Sequence, residues 1–296
     1  MSSSDDRHDT LESNRQSWDI ISASYQAHTR ISIDDVHYGP LAPGERELGL
    51  LGEVRGKQIL EVGCGGGQNA VALAKWGATC TGVDPSAAQL AHARRLAQEH
   101  GVAVQFAHGV AEDLGAMPDV AFDIVLSSYA FDYVTDLERA YAEIARVLKP
   151  GGLFVFCQSH PWFQAVGWHL AGDADAPEIA DYASWPGIEE WDWRFEDGTS
   201  APMRGHLRPL AQIINGLIEA EFTVERMVEQ NYADVVGASA EELARFPYLP
   251  RVDTESPEYR ILRKLPFTLI LKARKEGGVV GTPPGAGRPD PPPPRR

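Results

Sequence analysis

Apolar residues in this chain gather in short runs, with stretches of helical repeat between them. Ile59, Leu60 and Val62 make a run short enough for a buried strand, and Ala70, Leu73 and Ala74 follow at helical spacing in a helix predicted to begin near Gln68. A second strand ends at Asp84, and the periodic Ala87, Leu90, Ala91, Arg94 and Leu96 predict a helix over 86–100, closed by Gly101 as its cap. Strands are predicted at 102–107, 122–127 and 153–157, with an amphipathic helix over 137–148 stopped by Lys149, Pro150 and Gly151. Upstream, Trp18, Ile20, Ile21 and Tyr25 share one apolar helical face, and a Gly/Pro loop from Gly39 to Gly44 leads into a helix near 45–52.

The regular pattern breaks after the fifth strand. Residues 159–205 carry Trp162, Trp168, Trp185, Trp191 and Trp193 among Pro, Gly and Asp, too irregular for a crossover helix, and predict a cap inserted over the ligand edge of the sheet. A helix at 207–220 and strands at 223–228 and 267–273 restore regularity. Residues 1–13 are rich in Ser and Asp and 276–296 in Gly and Pro, so both ends are predicted to be disordered around a single domain at 14–275. The alternation of strands and helices predicts an α/β fold with a right-handed, mostly parallel sheet and helices on both faces.

Glycines cluster where the first strand meets its helix. Gly63, Gly65, Gly66 and Gly67 allow a tight turn whose amide-rich helix start faces the crevice beyond the strand ends, where open α/β sheets bind ligands. Asp84 ends the next strand at the position from which an acid meets ribose hydroxyls, so the stretch predicts a nucleoside-bearing cofactor. A dinucleotide fingerprint needs a third glycine, and Gln68 stands there instead. Glu61, just before the turn, repels a diphosphate but suits an ammonium group. Both residues oppose a nicotinamide cofactor.

Composition narrows the partners. The formal net charge is −15, and no stretch offers a basic patch, which argues against nucleic acid and anionic membranes. No window reaches the ~18 apolar residues of a membrane span. Cys64, Cys80 and Cys157 each sit in or beside apolar strand text without metal-ligand spacing, as buried thiols of a reducing, cytoplasmic compartment do. Oligomeric state is left open between monomer and homodimer.

The segments E-V-G-C-G-G-G at 61–67, V-D-P-S at 83–86, A-E-D-L at 111–114, F-D-I-V-L-S-S at 122–128 and R-V-L-K-P-G-G at 146–152 stand in the order found in class I S-adenosylmethionine-dependent methyltransferases. The chain resembles that family, in its small-molecule, natural-product tailoring branch, over roughly residues 14 to 275. The resemblance implies a Rossmann-like sheet of seven strands with an antiparallel last strand, and S-adenosylmethionine as cofactor. It implies Gly63 and Gly65, with Gln68, against the cofactor and Glu61 near its ammonium. Asp84, followed by Pro85, would accept the ribose hydroxyls; the alternative is a cap for the following helix. Ala111 would donate its amide to the adenine. Val110 stands where relatives carry an acid, so the adenine amine passes to Glu112 or to water. Ser127 would lie beside the methionine portion through its carbonyl. Tyr25, His37 and Tyr38 precede the first strand in the region that covers the cofactor in similar enzymes, with core packing the equal alternative for Tyr25.

Methyl transfer from a sulfonium is an in-line displacement, which demands alignment and exclusion of water and needs no metal. His160 follows the fifth strand in S-H-P-W and is the candidate base, or else it holds the loop by hydrogen bonds. Tyr133 stands where relatives often carry a histidine and would orient the acceptor; Asp132 would hold a substrate cation or cap a helix. His206 is a further candidate for the acceptor pocket. Trp162, Trp185, Trp191 and Trp193, beside Glu189, Glu190 and Asp192, can stack a flat ring and attract an ammonium, or they form the cap's own core. The reading predicts an aromatic small-molecule acceptor methylated on nitrogen or an aromatic carbon. The alternatives are a hydroxyl acceptor and a non-catalytic S-adenosylmethionine-binding regulatory protein.

Overall fold

Strand β1 (Gln58–Val62) lies at the centre of a seven-stranded sheet in the computed structural model, which describes residues 4–40, 42–167, 182, 187–231 and 255–277. Its neighbours are β2 (Thr79–Asp84) and β4 (Phe122–Ser128); β3 (Val104–His108) and β5 (Leu148–Ser159) lie beyond them, and all these pairings are parallel. Two antiparallel pairings complete the order β3-β2-β1-β4-β5-β9-β8: β9 (Pro266–Lys275) runs against β5, and β8 (Phe222–Asn231) runs against β9 and so along the parallel set. The sheet is the expected one, including its antiparallel end.

Alternation along the strands divides the core. Leu60, Val125, Phe154 and Phe156 face one layer with Tyr141, Ile144, Ile213 and Leu217, while Ile59, Ile124, Leu126, Val155 and Cys157 face the other with Leu73. Each large side chain so buried contributes about 1.5–3 kcal/mol. The covering helices are α3 (Gln68–Lys75), α4 (Ala87–Glu99), α5 (Leu137–Val147) and α6 (Leu210–Glu219). Ser86 caps α4 by accepting from Gln89 N, and Asp136 caps α5 by accepting from Arg139 N. A short α2 (Glu45–Leu48) precedes β1, and α7 (Pro257–Leu262) precedes β9.

Two expectations change. Helix α1 runs over Ser4–His28, so the predicted disordered start is helical from Ser4. Tertiary contacts hold it: Thr10 is buried and Arg7 pairs with Asp136 at the cap of α5. The inserted cap also proves regular where it is described. Strands β6 (Gly187–Arg194) and β7 (Ser200–Leu207) form an antiparallel hairpin that pairs Trp191 with Met203 and Trp193 with Ala201, ending at Leu207 rather than at 205. Its inner face packs Ala201 and Met203 on Ile21 of α1. Trp168, Trp185 and the tail from 278 lie outside the described residues.

Candidate active site

At the carboxyl ends of β1 and β2 the chain turns through Gly63, whose φ is +70°. A β-carbon there would overlap Cβ of Ala130 on the loop after β4, so only glycine lets the two loops meet. Gly65 N donates to Asp84 Oδ2 at 2.8 Å and Ser86 N to Asp84 Oδ1 at 2.8 Å. One carboxylate thus fixes both the turn and the start of α4. Each oxygen keeps a further lone pair for a ligand hydroxyl. Asp84 does not cap α4, since Ser86 does so. Burial pushes the Asp84 carboxyl up to about 6. Glu61 is 3% exposed and accepts from Ala70 N at 3.0 Å at the start of α3; burial pushes it up to about 8.

These groups border a cavity of about 480 Å³, within the ~300–1,000 Å³ of small-molecule sites. Gly63, Gly65, Gln68, Pro85, Ala111 and His37 line it, with Glu61 and Asp84. Asn69 holds His37 in place by accepting from its backbone N–H at 2.7 Å and donating to its carbonyl at 3.2 Å. Glu112 also lines the cavity, but its Oε1 accepts from Thr135 N at 2.6 Å and Asp136 N at 3.3 Å, committing that oxygen to the loop before α5.

The opposite wall is aromatic. Trp18 and Tyr25 from α1, Tyr133 from a 3-10 turn after β4 (Phe131–Tyr133), and Trp191 and Trp193 from β6 all border the cavity. Trp18 meets Tyr25 edge-on at 5.3 Å and Tyr133 at 5.9 Å, while Tyr133 and Trp191 lie 6.0 Å apart. Trp191 rests on Gly205 of β7, where a β-carbon would come within 2.8 Å of the indole. Asp132 lines the cavity from the same turn as Tyr133, and its Oδ2 accepts from Ser159 N at 3.2 Å and Ser159 Oγ at 2.9 Å.

Several expected site residues lie elsewhere. His160 is fully buried away from the cavity: its Nε2 meets Glu229 Oε1 of β8 at 2.9 Å and its Nδ1 accepts from Trp162 N at 3.1 Å. Both ring nitrogens serve the scaffold, so His160 is no base for an acceptor. Tyr38 is buried and donates to Glu45 Oε2 at 2.7 Å, and Ser127 is buried and donates to the Val62 carbonyl at 2.8 Å. Their neighbours His37 and Ser128 line the cavity instead. Trp162 is 45% exposed and stacks on Tyr182 outside the cavity, and His206 does not border it. Burial lowers the His206 imidazole to about 4. Trp185 lies outside the described residues.

Other cavity residues carried no motif. Asn14, Trp18 and Gln89 line it because α1 crosses the glycine turn, where Gln26 links Gln68 to Gln89 through bonds of 2.7 and 2.8 Å. Tyr129, at φ +56°, also lines it and bonds Thr268 Oγ1 at 2.8 Å. Among the described residues no group of three or more His, Cys, Asp or Glu side chains is placed to hold a metal, and no helix is long and apolar enough to cross a membrane.

Residues 60–156 match the methyltransferase domain family. A ubiquinone biosynthesis O-methyltransferase of Maricaulis maris is 38% identical over 110 residues, which is 36% of this chain and 43% of that protein. The match therefore spans less than half of that relative's length. An S-adenosylmethionine-dependent methyltransferase structure from Mesorhizobium loti aligns with a TM-score of 0.54 at 26% identity, over 77% of this chain and 95% of the other. A Listeria monocytogenes structure of the same description aligns with a TM-score of 0.57 at 22% identity, covering 78% and 96%, a likeness of fold.

Proposed function

We propose that this chain, which carries a class I S-adenosylmethionine-dependent methyltransferase domain, methylates a small acceptor that contains a planar ring. One observation carries the reading: the glycine turn with its Asp84 clasp and the five-ring wall of Trp18, Tyr25, Tyr133, Trp191 and Trp193 border the same cavity. Donor and acceptor halves, on this reading, share one cavity.

The donor half fits a cationic nucleoside. Two buried carboxylates, Glu61 and Asp84, lack a basic partner among their hydrogen bonds and gain from a positive ligand. Gly63 and Gly65 bring backbone close to a ligand, and Asp84 retains lone pairs for ribose hydroxyls. When bound, the cofactor supplies a methyl carbon on a sulfonium leaving group. The chain's own part is to hold both reactants in line and exclude water, for which the rings are suited. The acceptor is small because the cavity is, and planar because its wall offers ring faces and edges.

Isothermal titration with S-adenosylhomocysteine tests the donor half. Saturable binding at micromolar ligand is expected, weakened at least tenfold in Asp84→Asn. No binding at millimolar ligand contradicts the reading.

A further inference from the structure

With His160 facing β8, the acceptor's proton needs another destination. Within the cavity the candidate is Asp132. It stands between the two halves: Ala130, two residues before it, touches Gly63 of the donor turn, and Tyr133, the next residue, meets Trp191 of the acceptor wall. On the hairpin side, Gly205 approaches the Asp132 carbonyl.

The carboxylate is held asymmetrically. Oδ2 takes two hydrogen bonds from Ser159, whereas Oδ1 is buried with no protein partner, in a residue only 7% exposed that lines the cavity. A buried carboxylate oxygen without a donor is costly unless a ligand supplies one. The turn itself is fixed, because the buried Arg208 guanidinium donates to the Phe131 carbonyl at 3.2 Å and to the Val134 carbonyl.

We propose that Asp132 is a catalytic residue whose Oδ1 accepts the proton of a ring hydroxyl on the acceptor, so that the methylated atom is oxygen. This rests on the methyltransferase reading above and deepens it. As the acceptor oxygen bonds to the methyl carbon, the carbon–sulfur bond breaks with its electron pair left on sulfur, and the hydroxyl proton passes to Asp132 Oδ1. The neutral acid returns that proton to solvent after product leaves.

The chemistry selects oxygen over the other nucleophiles. A neutral amine attacks through its lone pair and sheds its proton afterwards, and a ring carbon loses its proton only after the methyl has joined. A hydroxyl, or a ring N–H whose lone pair belongs to the aromatic system, gains from a base during the transfer, and of the two only the ring hydroxyl, with a pKa of about 10, is acidic enough for a carboxylate to serve. Burial pushes the Asp132 carboxyl up to about 6, with Ser159 and Arg208 acting in the opposite sense, so it is ionised at neutral pH and more basic than an ordinary aspartate. The other titratable groups around it, Tyr129, Tyr133 and Cys157, have burial-raised pKa values and stay neutral there.

The test compares wild type, Asp132→Asn and Ser159→Ala against a panel of phenols, anilines and indoles. It reads S-adenosylhomocysteine affinity, phenol affinity in the S-adenosylhomocysteine complex, and turnover against pH. Wild type is expected to methylate a phenol with an acid limb near pH 6. Asp132→Asn should keep its S-adenosylhomocysteine affinity within about threefold, bind the phenol at least tenfold more weakly, and lose about 10²–10⁴-fold in kcat together with the acid limb. Ser159→Ala, which removes one of the two donors to Asp132 Oδ2, should move the limb to higher pH. Full turnover by Asp132→Asn overturns the proposal, as does a wild type that binds S-adenosylhomocysteine but methylates only nitrogen or carbon, or no member of the panel. Failure of wild type to bind S-adenosylhomocysteine overturns the underlying reading instead.

Discussion

Glu61 carries a proton in the ligand-free protein at pH values where a free glutamate has long lost it. Burial raises its carboxyl to about 8, against roughly 4.3 in an unfolded chain. The folded state therefore binds this proton more tightly. Its stabilising contribution is full below the unfolded pKa and is lost as pH rises through the folded one. Asp84 and Asp132, raised to about 6, act in the same sense but finish earlier. His160 and His206, lowered by burial, act oppositely, and their contribution is complete above roughly pH 6.5. Above neutrality Glu61 thus dominates this set. Ligand-free Glu61→Gln should lose less melting temperature than wild type between pH 7 and 9, measured by differential scanning calorimetry. Parallel curves would place the Glu61 carboxyl back in the ordinary range.

Residue types at the site were legible in the sequence; their direction was not. Of the expected pair His37 and Tyr38 only His37 borders the cavity, and at two further places the cavity takes the neighbour of the residue expected there: Ser128 rather than Ser127, Ser159 rather than His160. Extended backbone turns successive side chains to opposite faces, so an error of one position exchanges a ligand-facing group for a core group. The motif placed His160 at the correct edge of the sheet. Glu229, on a strand nearly seventy residues later, decides which way it points.

Helix α1 acts as a strap over the site. Asn14 bonds the backbone of Arg204 on β7 reciprocally, donating to its carbonyl at 2.8 Å and accepting from its N–H at 2.9 Å. Ser24 Oγ reaches Asp197 Oδ2 at 2.6 Å in the hairpin turn, and Asp19 Oδ1 accepts from Ser86 Oγ at 2.7 Å at the cap of α4. Asn14→Ala removes two bonds to partly buried backbone, a loss of about 1–3 kcal/mol. Amide exchange is expected to quicken across residues 187–207 and to stay unchanged in β1, β4 and β5. Unchanged exchange in the hairpin would mean that α1 does not hold it.

The strap and hairpin were only partly legible. The polar start of α1 resembles disorder by composition, and what makes it helical is contact with α5 and β7, remote in sequence. In the hairpin, the alternation of Glu190, Trp191, Asp192, Trp193 and Arg194 already carried the period of two that a strand requires, masked by five tryptophans and the prolines around them. The central strands and their helices could be read directly, because each is a local apolar run bounded by glycine or proline.

At the scale of the molecule, one sheet edge brings together a glycine-turn floor built from consecutive motifs and an aromatic wall built from α1, the 3-10 turn and β6. The floor could be read from residues 61–86, where turn, helix start and acid are near neighbours in sequence. The wall could not, since Trp18, Tyr133 and Trp191 come together only when the hairpin folds against α1. The measurement that addresses both halves at once is a single turnover with methyl-labelled S-adenosylmethionine and the phenol panel, followed by mass spectrometry. The account predicts that the label appears on a ring oxygen in step with S-adenosylhomocysteine. S-adenosylmethionine that binds and is recovered intact, with every acceptor unlabelled, would contradict it.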